Sequence, residues 1–217
     1  MKKALLLFVL TVAMQQLFAQ SFNFGIKAGL NESTADLGKT VTTTSYRSGF
    51  NAGVFADIGF YRLSLEPGLF YTMKGSDNRT VITQNSPQPY SFNATGKLTY
   101  NYIEVPVNVL YNIPGGPIKI FIGGGPYWGL ALSGTSQGNT TVNGTTTVSP
   151  TYNLTFGNGT GDLSRTDFGV SALAGITLKN GLLFNVDYGY GLTNIDHKNS
   201  GEIKNRVFCF SLGYKFL

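Results

Sequence analysis

The stretch Val207-Phe-Cys-Phe-Ser-Leu-Gly-Tyr-Lys-Phe216 alternates between two kinds of side chain. Its even-numbered positions are all bulky and apolar or aromatic, whereas its odd-numbered positions include cysteine, serine, glycine and lysine. A period of two residues is typical of a β-strand, whose successive side chains point to opposite faces of a sheet. The stretch therefore predicts a strand with one face suited to an apolar environment.

The same alternation occurs in seven further segments, and all eight share one asymmetry of charge. The other seven span residues 22–30, 50–58, 62–74, 102–111, 118–130, 167–178 and 182–192. No apolar face carries a charged residue, whereas the opposite faces together carry ten charged residues and twelve glycines. An eight-stranded barrel has an interior just wide enough to be filled by side chains, so the bulky apolar faces cannot all point inward. The sequence therefore predicts an all-β fold, an eight-stranded antiparallel up-and-down transmembrane β-barrel with its apolar face in lipid.

The composition excludes several other classes of protein. Charged residues make up 12% of the chain, about half the share of an average soluble domain. A single cysteine, Cys209, cannot form an internal disulfide scaffold. The formal charge of +5 falls to +3 if the leader that carries Lys2 and Lys3 is cleaved, and so mild a basic balance does not indicate a nucleic-acid partner. The soluble alternative is a lipocalin-like barrel or a two-sheet sandwich, which would bury the apolar faces instead.

The N-terminal segment has the layout of a secretory signal peptide. Lys2 and Lys3 precede an apolar run over residues 4–14, and a small residue, Ala19, follows shortly afterwards. We therefore predict a cleaved signal peptide at 1–19, a barrel domain at 20–217 and a location in the bacterial outer membrane.

The connections between the predicted strands alternate in length. Short connections at 59–61, 112–117 and 179–181 alternate with long ones at 31–46, 75–97, 133–165 and 193–205. Outer-membrane barrels place the long loops outside the cell.

Four segments resemble a known family, the PorT-like outer-membrane β-barrel family of Bacteroidota. They are Tyr102-Ile-Glu-Val-Pro-Val-Asn-Val-Leu-Tyr-Asn112, Phe121-Ile-Gly-Gly-Gly-Pro-Tyr-Trp-Gly129, Asp187-Tyr-Gly-Tyr-Gly-Leu-Thr-Asn-Ile195 and Asn205-Arg-Val-Phe-Cys-Phe-Ser-Leu-Gly-Tyr-Lys-Phe216. The resemblance implies an eight-stranded barrel in the outer membrane and does not imply an activity. The member that names the family is associated with type IX secretion.

Charged residues on the inward faces predict a structural charge network in the lumen. Its expected members are Lys27, Glu66, Glu104 and Asp187 near mid-height, and Arg62, Lys119 and Lys215 nearer the periplasmic end. Enclosed charges must be paired, because an unpaired buried charge costs several kcal/mol. We expect Lys27 to bridge acids from more than one strand, and we expect a closed lumen rather than a channel.

Aromatic residues and prolines give two further expectations. Tyr46, Tyr71, Trp128, Tyr188 and Tyr190 should cluster at the outer interface, and Phe22, Phe60, Tyr111 and Phe216 at the periplasmic one. Pro67, Pro106 and Pro126 fall inside strands, where each removes a ladder hydrogen bond, so bulges or local kinks are expected there.

The residues favour a non-enzymatic barrel with a structural or interaction role. Asp196, His197 and Ser200 are neighbours in a polar loop, but sequence adjacency does not align a nucleophile with its base. With one histidine and one cysteine we expect neither a metal nor a cofactor. The expected partners are outer-membrane lipid, the barrel-assembly machinery and a protein at the long loops. The alternatives are an accessory subunit of a type IX-like secretion complex, a lipid-modifying enzyme and a small diffusive pore.

Overall fold

Strands make up the regular secondary structure of the residues that the structure describes. The computed structural model describes residues 20–36, 42–84, 90–157, 163–196 and 203–216. The strands are β1 Gln20–Asp36, β2 Thr42–Ser45, β3 Arg47–Phe60, β4 Leu63–Gln84, β5 Tyr90–Gly115, β6 Ile118–Val142, β7 Thr145–Val148, β8 Tyr152–Asn153, β9 Thr166–Leu178, β10 Leu182–Gly191 and β11 Lys204–Phe216. The predicted signal peptide at 1–19, together with His197 and Ser200, lies outside the described residues.

Eight of these strands close into a ring. The order is β1-β3-β4-β5-β6-β9-β10-β11, with β11 paired back to β1, and every neighbouring pair is antiparallel. Each ring strand therefore pairs with the ring strands that precede and follow it along the chain. The prediction of an eight-stranded up-and-down barrel is confirmed.

The register around the ring sets how steeply the strands tilt. A path of directly opposed residues starts at Gln20 and runs through Phe60, Leu63, Tyr111, Ile122, Ala174, Val186 and Phe210 to Leu30. The path thus returns to β1 ten residues further along. With ordinary strand dimensions this stagger gives a tilt of about 40°, so about ten residues cross an apolar band ~25 Å tall.

Side-chain exposure confirms that the apolar face points outward. Phe22 and Leu30 on β1 are 67% and 68% exposed, whereas Lys27, between them on the other face, is only 6% exposed. On the other ring strands, too, apolar side chains point outward and polar side chains point inward. On β10, for example, Val186 is exposed and Asn185 is buried. Such a surface is stable only in lipid.

Aromatic residues form two bands at different heights on the outer surface. The registers place Tyr71, Trp128, Tyr188 and Tyr190 in one band and Phe22, Phe60, Tyr111 and Phe216 in another. The bands are about 20 Å apart along the barrel axis, given the strand rise and tilt. The Tyr46 ring lies 6.4 Å from the ring of Phe208, which is directly opposed to Tyr188 of the outer band. The bands therefore agree with the expected interfacial belts.

The prolines interrupt pairing without shifting the register. Pairing of β3 with β4 stops at Phe55–Gly68 and resumes at Ile58–Leu65 in the same register, next to Pro67. Two-residue gaps of the same kind lie beside Pro106 and Pro126 in the β4–β5 and β5–β6 pairs. The register shift between β5 and β6 falls elsewhere, at Asn101/Tyr102. The expected irregularity is therefore present as ladder gaps rather than as bulges at the prolines.

Three ring strands continue far beyond the outer aromatic band. β4 and β5 stay paired up to Gln84–Tyr90, and β5 and β6 up to Phe92–Val142. β2 adds to β4, and β7 and β8 add to β6. We call residues 75–84, 90–101 and 133–142, with β2, β7 and β8, the projecting sheet. It reaches roughly 30 Å past the outer aromatic band. The prediction that 75–97 and 133–165 are loops is therefore wrong for much of their length.

A cluster of buried apolar residues lies at the barrel mouth, where this sheet begins. Tyr100, Tyr102, Ala131 and Ile195 are buried together, each at most 1% exposed. Loop side chains pack onto them, namely Leu154, Phe156, Leu163 and Ile203. The connections after β6 and β10 thus fold back over the barrel mouth. Within the described ranges no helix is both long and apolar enough to span a bilayer.

Candidate functional site

The barrel interior holds ion pairs at three heights. Near the turn end, Lys215 on β11 pairs with Asp57 on β3. At the next height, Lys27 Nζ lies 2.6 Å from Glu66 Oε1. Nearer the loop end, Lys74 Nζ lies 2.5 Å from Glu104 Oε2 and 3.3 Å from Asp167 Oδ2.

Five of the seven predicted network residues line or occupy this interior. They are Lys27, Glu66, Glu104, Asp187 and Lys215. Arg62 and Lys119 differ from the prediction, since both are exposed at strand ends beside the short turns. The Arg62 guanidinium donates to the Tyr111 hydroxyl at 3.3 Å on the barrel surface. Arg62 and Lys119 both continue the inward-facing alternation of the sequence. They lie beside turns, where the sheet ends, so their side chains are in water.

The residue that bridges acids on two strands is Lys74, not Lys27. Lys27 donates to Glu66 and lies 4.4 Å from the centre of the Phe55 ring. Lys74 on β4 is 3% exposed and joins Glu104 on β5 to Asp167 on β9. The inward face of the alternating pattern already contained Lys74, Asp57 and Asp167. The sequence alone does not give the height of each residue along the barrel axis. It therefore does not show which inward-facing residues lie close together across the ring.

Asp167 is deeply enclosed in the interior. Its side chain is 0% exposed, and Asn205 Nδ2 donates to its Oδ2 at 2.9 Å. The Tyr127 hydroxyl lies 3.5 Å from the same oxygen, and Lys74 Nζ lies 4.4 Å from the centre of the Tyr127 ring. A Cβ on Gly169 would overlap that ring. Glycine at 169 therefore leaves the room that Tyr127 needs to reach Asp167.

Amide, hydroxyl and thiol groups fill the space between the ion pairs. Asn51 Nδ2 donates to Asn31 Oδ1 at 3.1 Å and to Cys209 Sγ at 2.7 Å. Elsewhere in the interior the Ser171 hydroxyl donates to Asn108 Oδ1 at 3.1 Å. Neutral polar groups thus hydrogen-bond to one another, whereas the lysine ammonium groups pair with the carboxylates.

A small polar cavity, which we call the chamber, lies at mid-height. Its volume is about 80 Å³, and its lining includes Lys27, Glu66, Glu104, Asn185 and Asp187. Leu110, Phe121 and Leu173, on the adjacent strands β5, β6 and β9, form a small buried apolar cluster on one side of the interior, and Leu173 also lines the chamber. Towards the loop end, Tyr100 and Tyr102 belong to the apolar cluster over the barrel mouth. The chamber thus has apolar side chains beside it and over the barrel mouth.

This arrangement predicts a barrel that does not conduct ions. Purified protein in planar bilayers is expected to give no reproducible single-channel steps, because the interior of an eight-stranded barrel is only wide enough to be filled by side chains. Glu104→Gln, which weakens the contact with Lys74, should lower thermal stability and leave conductance at zero. Stable unitary currents from the unaltered protein would contradict a closed lumen.

The polar loop that holds Asp196, His197 and Ser200 is described only as far as Asp196. Asp196 is 8% exposed beside the mouth of the barrel, and its backbone N–H donates to Asn194 Oδ1 at 3.1 Å. His197 and Ser200 lie outside the described residues. Across the part of the chain that the structure describes, no group of three or more histidine, cysteine, aspartate or glutamate side chains is placed to hold a metal ion.

The tip of the projecting sheet presents apolar side chains outside the membrane band. Ile82, Phe92 and Val142 are directly opposed on adjacent strands and so share one face. Ile82 and Val142 are exposed, at 45% and 37%. Since this row lies beyond the aromatic band, lipid does not cover it.

Comparison with solved structures finds other small outer-membrane proteins. The chain is similar to Ail, the attachment invasion locus protein of Yersinia pestis, with 12% identity and a TM-score of 0.40, covering 89% of this chain and 98% of that one. It is similar to Neisserial surface protein A, with 13% identity and a TM-score of 0.38, covering 89% and 97%. It is also similar to the outer membrane enzyme PagL, with 13% identity and a TM-score of 0.28, covering 87% and 98%. No curated protein sequence matches the chain.

A family model supplies the assignment. Residues 18–197 match the family described as "Outer membrane protein beta-barrel domain". This match covers most of the chain and agrees with the closed ring of eight strands and its lipid-facing apolar surface. The protein is thus located in the bacterial outer membrane, and the chain belongs to the outer membrane protein beta-barrel domain family.

Proposed function

We propose that this protein is a non-enzymatic outer-membrane barrel whose working part is the projecting sheet, which engages a protein partner outside the membrane. The observation that carries the proposal is the continuation of β4, β5 and β6 as paired strands beyond the lipid-facing band. A paired sheet holds its side chains in a fixed arrangement, so binding to it requires little ordering.

The apolar row on this sheet suggests which surface makes the contact. Exposed apolar side chains that adjoin one another outside the bilayer are a common feature of protein-binding sites. Ile82 and Val142 are exposed, and the half-buried Phe92 lies between them in one row. Thr80 and Thr140 flank the row on the same face. A partner that covers the row would remove this apolar surface from water.

Site-specific photocrosslinking in intact cells tests the proposal. A photoreactive residue at position 92 is expected to give a discrete protein adduct. The same residue at Val109, which is exposed on the lipid-facing surface, should give none. Paired Ile82→Ser and Phe92→Ser substitutions should reduce the captured partner at least ~10-fold. Val81→Ser, on the opposite face, is the matched control. Equal adducts at positions 92 and 109, or none at 92, would count against this role.

A finer assignment rests on the four segments that resemble the PorT-like family of Bacteroidota. In that case the barrel would be an accessory subunit of a type IX-like secretion complex. Co-purification from native outer membrane distinguishes a secretion-complex subunit from a barrel that works alone. Only a subunit is expected to co-purify with a stoichiometric set of secretion proteins. The lipid-modifying alternative predicts a mass change in lipid A when the protein is present. Unchanged lipid A spectra would support the non-enzymatic role.

A further inference from the structure

The charges around the chamber do not balance. Lys27 and Lys74 line the chamber together with Glu66, Glu104 and Asp187. Asp167, which pairs with Lys74, adds a fourth carboxylate, so two ammonium groups face four carboxylates. Lys27 is held by Glu66, and Lys74 is shared between Glu104 and Asp167. Asp187 makes no ion pair with any described residue. An interior with two more carboxylates than cations is costly unless something positive accompanies them.

A buried oxygen beside Asp187 lacks a hydrogen-bond donor. Asn185 is 8% exposed, and its Oδ1 has no hydrogen-bond partner among the described residues. Asn185 and Asp187 are two residues apart on β10, both line the chamber, and both side chains face inward. An unsatisfied buried acceptor costs about 1–3 kcal/mol, so this oxygen also requires a positive or donating neighbour.

The donor set specifies what kind of ligand would satisfy both groups. A carboxylate, an amide oxygen and water are the ligands that hard divalent cations prefer. The chamber's 80 Å³ can hold an ion with a few waters, which would supply the remaining ligands. Lys27 also lines the chamber, but its ammonium group is directed at Glu66. One divalent ion would offset the two excess negative charges.

The geometry points to a divalent-cation site of the Ca²⁺ type in the chamber, with Asp187 and Asn185 as its protein ligands. The sequence predicted no metal because that expectation counted histidine and cysteine, whereas these ligands are oxygens. The site lies inside the barrel, and it is independent of the function proposed for the projecting sheet. The ion would act as an internal brace between β10 and the ion pairs on the facing strands.

Metal analysis of the refolded barrel tests the inference. The full barrel in detergent is unfolded in urea with EDTA, refolded with Ca²⁺ or with EDTA, and desalted. Elemental analysis of the Ca²⁺ sample should find about one ion per chain, and its thermal midpoint should exceed that of the EDTA sample. Asp187→Asn should lower Ca²⁺ affinity at least ~10-fold. Asp77→Asn, the same change at the partly exposed Arg47–Asp77 pair, should leave metal content unchanged.

Three results would overturn the site. The first is an unaltered protein that refolds in Ca²⁺ without retaining the ion. The second is an Asp187→Asn barrel that retains a full equivalent. The third is a stability that depends on pH but is the same in Ca²⁺ and EDTA, because a proton would then balance the chamber. If Asp187→Asn does not fold, the metal content and EDTA response of the unaltered protein still decide the question.

Discussion

Replacing Lys74 with methionine is expected to lower the free energy of unfolding by about 3–5 kcal/mol. Lys74 is the cation shared by Glu104 and Asp167, and its side chain is 3% exposed. Methionine has a similar length but no charge, so the two carboxylates would lie close together in the interior without a counter-ion. Removing one partner of a buried ion pair is far more costly than replacing the whole group by apolar residues.

Urea unfolding in lipid vesicles measures this loss. Lys97→Met on β5 is the matched control, because Lys97 is exposed on the projecting sheet and its loss should change stability by less than ~0.5 kcal/mol. Adding Glu104→Gln and Asp167→Asn to Lys74→Met should recover much of the lost stability. Similar unfolding free energies for the Lys74 and Lys97 variants would contradict the shared ion pair.

The strands within the membrane could be predicted from the sequence because each face has a different solvent. Phe208, Phe210 and Leu212 contact lipid, whereas Cys209 and Ser211 face the interior, so the two-residue period is strong. The outward direction of the apolar face followed from the volume of an eight-stranded barrel. Both conclusions need only local sequence and the number of strands.

The ion pairs could not be predicted in the same way, because they depend on the stagger of the whole ring. Lys74 lies on β4 and Asp167 lies on β9, and β5 and β6 separate these two strands in the ring. The ten-residue stagger is what brings the two side chains to one height. Alternation places both on the inward face but does not fix height, which is why Lys27 rather than Lys74 was expected to bridge two acids.

The projecting sheet was missed for a different physical reason. Above the membrane both faces of β4, β5 and β6 meet water or loops, so the apolar–polar alternation weakens. The segment Gly138-Asn-Thr-Thr-Val142 on β6, for example, is uncharged and mostly polar, which is typical of loops. Threonine nevertheless suits a strand because its branched Cβ packs on a pleated surface. The threonine content was therefore the signal that could have revealed these strands.

Replacing Val186 with arginine is expected to lower the free energy of unfolding by about 2–4 kcal/mol. Val186 is 45% exposed on the outer surface of β10, and the register places it midway between the two aromatic bands. An arginine there must either enter the hydrocarbon or stretch about 10 Å to reach a headgroup layer, as the strand rise and tilt require. Either outcome raises the free energy of the folded barrel in lipid and so lowers its stability.

Thr147→Arg is the matched control for Val186→Arg. Thr147 is exposed on β7 of the projecting sheet, so an arginine there stays in water and should change stability by less than ~0.5 kcal/mol. Urea unfolding from vesicles compares the two variants under one condition. The cost at Val186 should shrink when the barrel is held in a thinner bilayer, because the arginine then reaches the headgroups sooner. Equal effects at the two positions would contradict the placement of the apolar band.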